Sequence, residues 1–390
     1  MQNGKSPGSD GFTAEFYKAF WEEIGDDVVQ SINYAFDKGE LSIRQKRGII
    51  TLLPKKDKPT NILNNLRPIT LLNTDYKIAT KVIAKRLGEV LPDIICANQT
   101  GYVKKRCIGE NVRLISDVIE YTKYKQLPGI AVFVDFKKAF DSLEWDYLNK
   151  VLDVFNFKDD LKRWVKVFYN DISSCVISDG FASPFFNLNR GVRQGCPLSG
   201  LLFVLGIELL NLAIQTNPNI KGISVGNTQI KITLYADDTT LFLKDRDSVQ
   251  ALLETLESFK KCSGLEVNKA KTEAMWLGLW AERKDTPFGF RWPKDSVYSL
   301  GIHFTKEKRI SDALNFEKKL EDLQKILNSW KRRKLTLLGR INIAKSLGLS
   351  KLIYNASVLS LPEEFAKKVD KIVFDFVWEG KPHKIKKKTR

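Results

Sequence analysis

Residues 232–243 read ITLYADDTTLFL. An apolar run climbs to two adjacent carboxylates, Asp237 and Asp238, and a second apolar run leaves them. Two short apolar runs meeting at a polar tip form the pattern of a buried β-hairpin. An acid held at such a tip loses water, and a buried carboxylate is costly unless it is paired or metal-bound. The stretch therefore calls for a cation and for a third acid from elsewhere. Taken alone, an Asp-Asp pair also suits a polar hairpin turn.

The segment AVFVDFKKAFD, residues 131–141, supplies the further acid. Ala131 to Val134 reads as a fully buried strand, and Asp135 stands at its end. Three aspartates on neighbouring strands can cage two Mg²⁺, a hard ion that takes oxygen ligands and keeps water and substrate phosphate around it. Two such ions about 4 Å apart activate an attacking oxygen and stabilise a leaving one. Adjacent strand residues point to opposite faces, so Asp237 and Asp238 need not both be inner ligands. Asp237 is expected to be the firmer of the two.

Composition narrows the partners. The chain has 390 residues, is 43% hydrophobic and carries 63 Lys+Arg against 46 Asp+Glu, a net charge of +17. That length admits two or three domains with a real core, and that charge fits a polyanionic partner. Residues 306–390 hold 22 basic and 10 acidic residues, so the C-terminal part is the expected holder of phosphate backbone. Cys96, Cys107, Cys175, Cys196 and Cys262 are scattered, and His303 and His383 are the two histidines. This spacing argues for reduced thiols in an intracellular setting and against a structural zinc site. No signal peptide is read at the start. The apolar segment 198–214 falls short of a ~20-residue span and carries Glu208, so no membrane segment is expected.

Along the chain, residues 1–12 form a Gly- and Lys-bearing loop. Its Gly4-Lys5-Ser6 matches the end of a P-loop, but the earlier glycine is missing, so contact with nucleic-acid phosphate is the better reading. Residues 13–36 predict a helix with Phe16, Phe20, Ile24, Val28 and Ile32 on one stripe. Arg44, Lys46, Arg47, Lys55, Lys56 and Lys58 surround a strand, and Arg67 precedes Pro68 in an extended run. This basic strand–loop–strand suits either a triphosphate or simply solvent. Residues 75–91 predict a helix with Ile78, Val82, Ile83 and Leu87 on one face, and residues 111–124 a second helix. Asp141 and Glu144 have the spacing of a capping box. A hairpin is expected over 174–188 through Asp179-Gly180. GVRQGCPLSG, residues 191–200, places a glycine turn before a helix that is apolar nearly all round. Such a turn suits a nucleotide lying on backbone, or merely a tight connection. LEVN and TEAMWLG read as strands, residues 299–303 as a last strand, and the chain turns helical from Ser311. The Lys-rich end from Lys381 is expected to fray.

The ordered series GKSPGSDGF, TLLPKKDK, LRPITLLN, VFVDFKKAFDSLEW, RGVRQGCPLSGLLF, YADD, GLEVNKAKTE and YSLGI resembles the reverse transcriptase of non-LTR retrotransposons, the long interspersed element type. The resemblance spans essentially the whole chain. It implies an α+β right-hand polymerase: an N-terminal extension at 1–43, fingers at 44–130, a palm with antiparallel sheet at 131–305 and a helical thumb with a basic tail at 306–390. It implies RNA-directed DNA polymerase activity with two Mg²⁺, for which Mn²⁺ can substitute. The metal-binding acids would be Asp135, Asp237 and Asp238, with the backbone of Phe136 facing metal and phosphate. Phe140 matches the aromatic gate against a ribose 2′-hydroxyl. Gln194 and Gly195 match the nucleotide-positioning turn, and Lys55 and Arg67 the fingers cations on the triphosphate. Lys271 matches the lysine that aids pyrophosphate departure, with Lys269 as its rival, and Leu300-Gly301 match the primer grip.

Expected partners are an RNA template, a DNA primer, their RNA–DNA hybrid and dNTPs, with no membrane. The expected location is intracellular, cytoplasmic and nuclear. Full-length relatives would carry an endonuclease and a Cys/His-rich region, and neither is read in this sequence. A catalytically inactive RNA-binding relative of the same fold is the alternative. An RNA-templated RNA polymerase is a further one, which Phe140 argues against.

Overall fold

The strand Gly129–Val134 is buried along its whole length. Its alternate residues point to opposite faces. Ile130, Val132 and Val134 join a core with the helix Ser199–Thr216, while Ala131 and Phe133 join a second core with the helix Ile108–Lys125. Cover on both faces explains why its sequence is a continuous apolar run rather than an alternating one.

The computed structural model describes residues 1–55 and 59–381. Lys56, Lys58, His383 and the rest of the chain end expected to fray lie outside the described residues. The central sheet has four strands in the order Glu273–Leu277, Gly129–Val134, Asp238–Leu243, Ile232–Tyr235, each pair antiparallel. A second sheet pairs Arg47–Pro54 antiparallel with Leu66–Leu72 and parallel with Ser173–Ser178. The expected hairpin turns at Asp179 and Gly180, with φ of 51° and 84°, into short strands Phe181–Ala182 and Phe186–Asn187. The helices Lys318–Lys331, Ser350–Val358 and Glu363–Val377 close a third core on Phe316, Leu323, Leu327, Leu352 and Phe365. The result is an α+β right hand with fingers, palm and helical thumb.

The helix Ser199–Thr216 is, by length and composition, apolar enough to cross a membrane. Here it is the core helix of the palm. Glu208 and Asn211 are fully buried in it and bonded to each other, and Glu208 also accepts from the Cys96 N–H at 2.9 Å.

Several local expectations need correction. The helix expected over 13–36 is two helices, Ala14–Ala19 and Trp21–Lys38, broken at Phe20. Of the expected stripe, Phe20 is exposed while Ile32 packs against the main core, and Ala14, Gly25 and Ala35 are the buried residues. In the helix Thr74–Ile94, Val82 faces outward, because the buried face runs through Tyr76, Ala79, Ile83, Leu87 and Leu91. The Asp141–Glu144 capping box does not form. The turn Ala139–Ser142 ends first, and the Glu144 carboxylate pairs with Arg190 at 3.2 Å. The segment LEVN makes only a single bridge, Phe136 to Val267. The last strand is a hairpin, Val297–Ser299 with Ile302–Phe304, because Leu300 and Gly301 both take positive φ, 51° and 78°.

Candidate active site

Asp238 pairs with Tyr235 across the hairpin, which leaves Ala236 and Asp237 as its two-residue turn. Ala236 has φ 55°, the left-handed region where glycine is usual, and the Cβ clash there costs about 1 kcal/mol. Thr239 pairs with Val134 on the central strand. One step further along that register sets Asp238 opposite Asp135. Residues so opposed share a face, with Cβ atoms about 5 Å apart.

The acids repel one another. Burial, then the charges of Asp237 and Asp135, push the Asp238 carboxyl up to about 6. Asp238 keeps an exposed edge, so its carboxyl is wetted from the cleft while protein surrounds its other sides. Burial also lifts Asp237; its own backbone N–H opposes the shift and Asp135 adds to it. Among the described residues, no lysine or arginine is ion-paired with any of the three. Oxygen donors with uncompensated negative charge fit a hard divalent cation. They do not form a closed cage, since among the described residues no three acidic, His or Cys side chains are grouped to hold an ion by themselves. A Mg²⁺ held here would complete its shell with water and phosphate, as that ion ordinarily does.

Asp135 and Asp238 open into a cleft of about 730 Å³, together with Lys271, Leu300, Gly301 and Tyr354. The Asp135 N–H donates to the Thr272 hydroxyl at 3.3 Å, and the Asn268 N–H donates to the Asp135 carbonyl at 2.7 Å. The Lys271 N–H donates to the Asn268 carbonyl at 3.0 Å. A turn laced to Asp135 therefore carries Lys271, while Lys269 is not among the residues lining the cleft. Phe136 faces Val267 between two flanking bonds, Lys137 N–H to Glu266 and Asn268 N–H to Asp135. In such a pair the residue's own N–H and C=O point away from the ladder. Leu300 and Gly301 form the turn of the 297–304 hairpin, where the Tyr354 hydroxyl donates to the Leu300 carbonyl.

Phe140 is half-buried and stacks on the fully buried Phe203. The Tyr102 ring also approaches it edge-on, with ring centroids 6.4 Å apart. Gln194 and Gly195 lie where the palm meets the fingers sheet: the Thr70 N–H donates to the Gln194 carbonyl at 2.8 Å. Gly195 has φ +117°, and a Cβ there would stand 2.3 Å from the Thr70 carbonyl oxygen. Arg67 pairs with Leu53, and the Lys55 N–H donates to the Asn65 carbonyl at 2.8 Å. That register places Lys55 and Arg67 at the far end of the fingers hairpin. Neither lines the cleft of Asp135 and Asp238.

Two site-facing residues escaped the sequence reading. Tyr102 is an exposed bulky residue at φ 58°, and its phenol is raised by burial and then by the charge of Asp237. A Cβ on Gly200 would stand 2.6 Å from its ring, so that glycine makes room for it. Tyr354 carries the Leu300-Gly301 turn. The Gly101-Tyr102 pair offered a weak turn signal, and Tyr354 offered none.

Residues 53–304 match the family described as reverse transcriptase (RNA-dependent DNA polymerase). Over 98% of its length the chain is 32% identical to a Xenopus laevis protein described as the transposon TX1 uncharacterized 149 kDa protein, and covers 29% of it. Over 69% of its length it is 25% identical to a retrovirus-related Pol polyprotein from a type-1 retrotransposable element R2 of Nasonia vitripennis, and covers 25% of that protein. The chain thus spans less than a third of either relative. A solved structure of apo telomerase from Candida tropicalis aligns with a TM-score of 0.49 at 13% identity, over 93% of this chain and 67% of that one.

Proposed function

We propose, on the premise that this chain belongs to the reverse transcriptase (RNA-dependent DNA polymerase) family as a domain of the non-LTR retrotransposon type, that it extends a primer 3′-hydroxyl with dNTPs along an RNA template. The observation that carries this reading is that Asp135 and Asp238 line one cleft with Lys271 and the Leu300-Gly301 turn.

Asp135, Asp237 and Asp238 would hold two divalent ions, Mg²⁺ or Mn²⁺. Bound there, such ions lower the pKa of the attacking hydroxyl and neutralise charge on the triphosphate. The chain's own work is positioning and charge placement, which dominate phosphoryl transfer. The Leu300-Gly301 turn seats the primer end. The Phe140 ring excludes a ribose 2′-hydroxyl, and Gln194-Gly195 offer backbone to the incoming nucleotide. Lys271 places an ammonium near the departing pyrophosphate, while Lys55 and Arg67, which do not line the cleft, add positive charge on the fingers hairpin. The basic thumb holds the RNA–DNA hybrid through its phosphates, by shape rather than sequence.

Primer extension on poly(A)/oligo(dT) with Mg²⁺, with Asp237→Ala as control, tests this. Extension by the parent chain and none by the variant is expected. Hybrid binding without any Mg²⁺- or Mn²⁺-dependent extension would instead make the chain a catalytically silent RNA-binding relative.

A further inference from the structure

We propose that Gln99 is the positioning residue of the acidic turn, setting where the Asp237 carboxylate stands relative to Asp135 and Asp238. The proposal rests on reading those acids as the ion-binding set. Gln99 is fully buried. Its Oε1 accepts from the Ala236 N–H at 2.9 Å and from the Gly101 N–H at 2.8 Å, and its Nε2 donates to the Ala236 carbonyl at 3.4 Å. One carboxamide thus engages both backbone polar groups of Ala236, the left-handed residue next to Asp237.

A non-glycine residue persists in that conformation only where its surroundings over-determine it. Rotation about the Ala236 backbone would swing Asp237 directly. The clamp is itself held: the Gln99 N–H donates to the Cys96 carbonyl at 3.1 Å, and the Gln99 carbonyl accepts from Arg106 at 2.7 Å. Arg106 also binds the carbonyls of Pro92, Ile95 and Cys96, so the loop cannot slide. Gly101 lies flat on the turn, since a Cβ there would be 2.3 Å from the Ala236 nitrogen. Gln99 touches no reacting atom; it acts through Ala236 on Asp237.

The test is Mn²⁺ uptake by the full chain, read from the paramagnetic signal of free Mn²⁺, beside hybrid affinity and melting temperature. Gln99→Met keeps the volume and removes the three bonds. It should weaken Mn²⁺ binding about tenfold, as loss of a residue that orients a ligand does, with hybrid affinity unchanged. Asn98→Ala unties the same loop from Asn211 and the Ile232 carbonyl without touching Ala236. It should lower the melting temperature and leave Mn²⁺ binding as it was. Gln99→Glu, whose buried carboxyl stays protonated, keeps both acceptor bonds and can donate its O–H to the Ala236 carbonyl, so it should bind Mn²⁺ no more weakly than the parent. Parent-like Mn²⁺ binding by Gln99→Met, an equal loss in Asn98→Ala, or a tenfold loss in Gln99→Glu would each overturn the proposal. If Gln99→Met does not fold, the Glu and Asn98 variants decide. A parent chain that takes up no Mn²⁺ would instead sink the reading of the acids.

Discussion

Phe140 lies against Phe203 with ring centroids 4.5 Å apart and planes 14° from parallel. Phe203 is immobilised in the core helix, so the Phe140 ring cannot retreat from a bulkier sugar. Phe140→Ala should raise ribonucleotide use relative to dNTP by at least about tenfold, the scale of a lost steric contact in an apolar pocket. Competition between dTTP and UTP in primer extension measures it; an unchanged ratio would remove Phe140 from the gate.

Asp135→Ala and Asp238→Ala should each lower extension at least about a hundredfold, because several kcal/mol of transition-state charge stabilisation are lost. Hybrid affinity should hold, since the basic thumb does not depend on either acid. Single-turnover extension beside a filter-binding titration separates the two. Substantial residual synthesis would exclude the mutated acid from the ion site.

Burial of Asp238, with its acidic neighbours second, has a pH signature in the metal-free chain. Asp238 titrates near 6 in the folded state against 3.8 when unperturbed. Between those values the folded state holds more protons than the unfolded one, so stability falls as pH rises through that window and levels off above it. Melting curves in EDTA should show this contribution, and Asp238→Asn should remove it. A parent and variant with parallel pH profiles would contradict the assignment.

Gly195→Ala should destabilise the junction of palm and fingers by about 1–3 kcal/mol, the usual range for a strained backbone conformation. Positive φ and the Thr70 carbonyl both oppose a side chain there. Urea unfolding gives the stability, and the KM for dNTP should rise with it. A neutral substitution would mean that the loop stands off the fingers sheet.

Hybrid affinity should fall linearly with salt on a log–log scale, with a slope near −0.9 for each phosphate neutralised. Charge-reversing Lys331, Arg332 and Arg333 together should flatten that slope. An unaltered slope would place the phosphate contacts elsewhere than the C-terminal end of the helix Lys318–Lys331.

Much of this architecture was legible in the chain. The unbroken apolar run before Asp135 reads as a strand covered on both faces, and it is one. The 191–200 turn reads as a nucleotide seat or a tight connection; that Gly195 packs against the Thr70 carbonyl of the fingers strand was not legible there. Legibility failed where a local pattern had two outcomes. The spacing of Phe16, Phe20 and Ile24 is helical, but periodicity cannot tell whether anything lies opposite, and Phe20 stays exposed. Asp141 and Glu144 have capping-box spacing, yet the chain turns at Leu143 and Glu144 finds Arg190 instead.

The residues by themselves determined which stretches are buried and that acids stand at their ends, because side-chain polarity is a local property of each stretch. Only tertiary structure decided that Asp238 and Asp135 open into one cleft and that Gln99 holds Ala236 from a distant loop. Those relationships run through strand register and backbone N–H and C=O groups. Every non-proline residue carries the same pair of such groups, so one-dimensional order does not say which will meet.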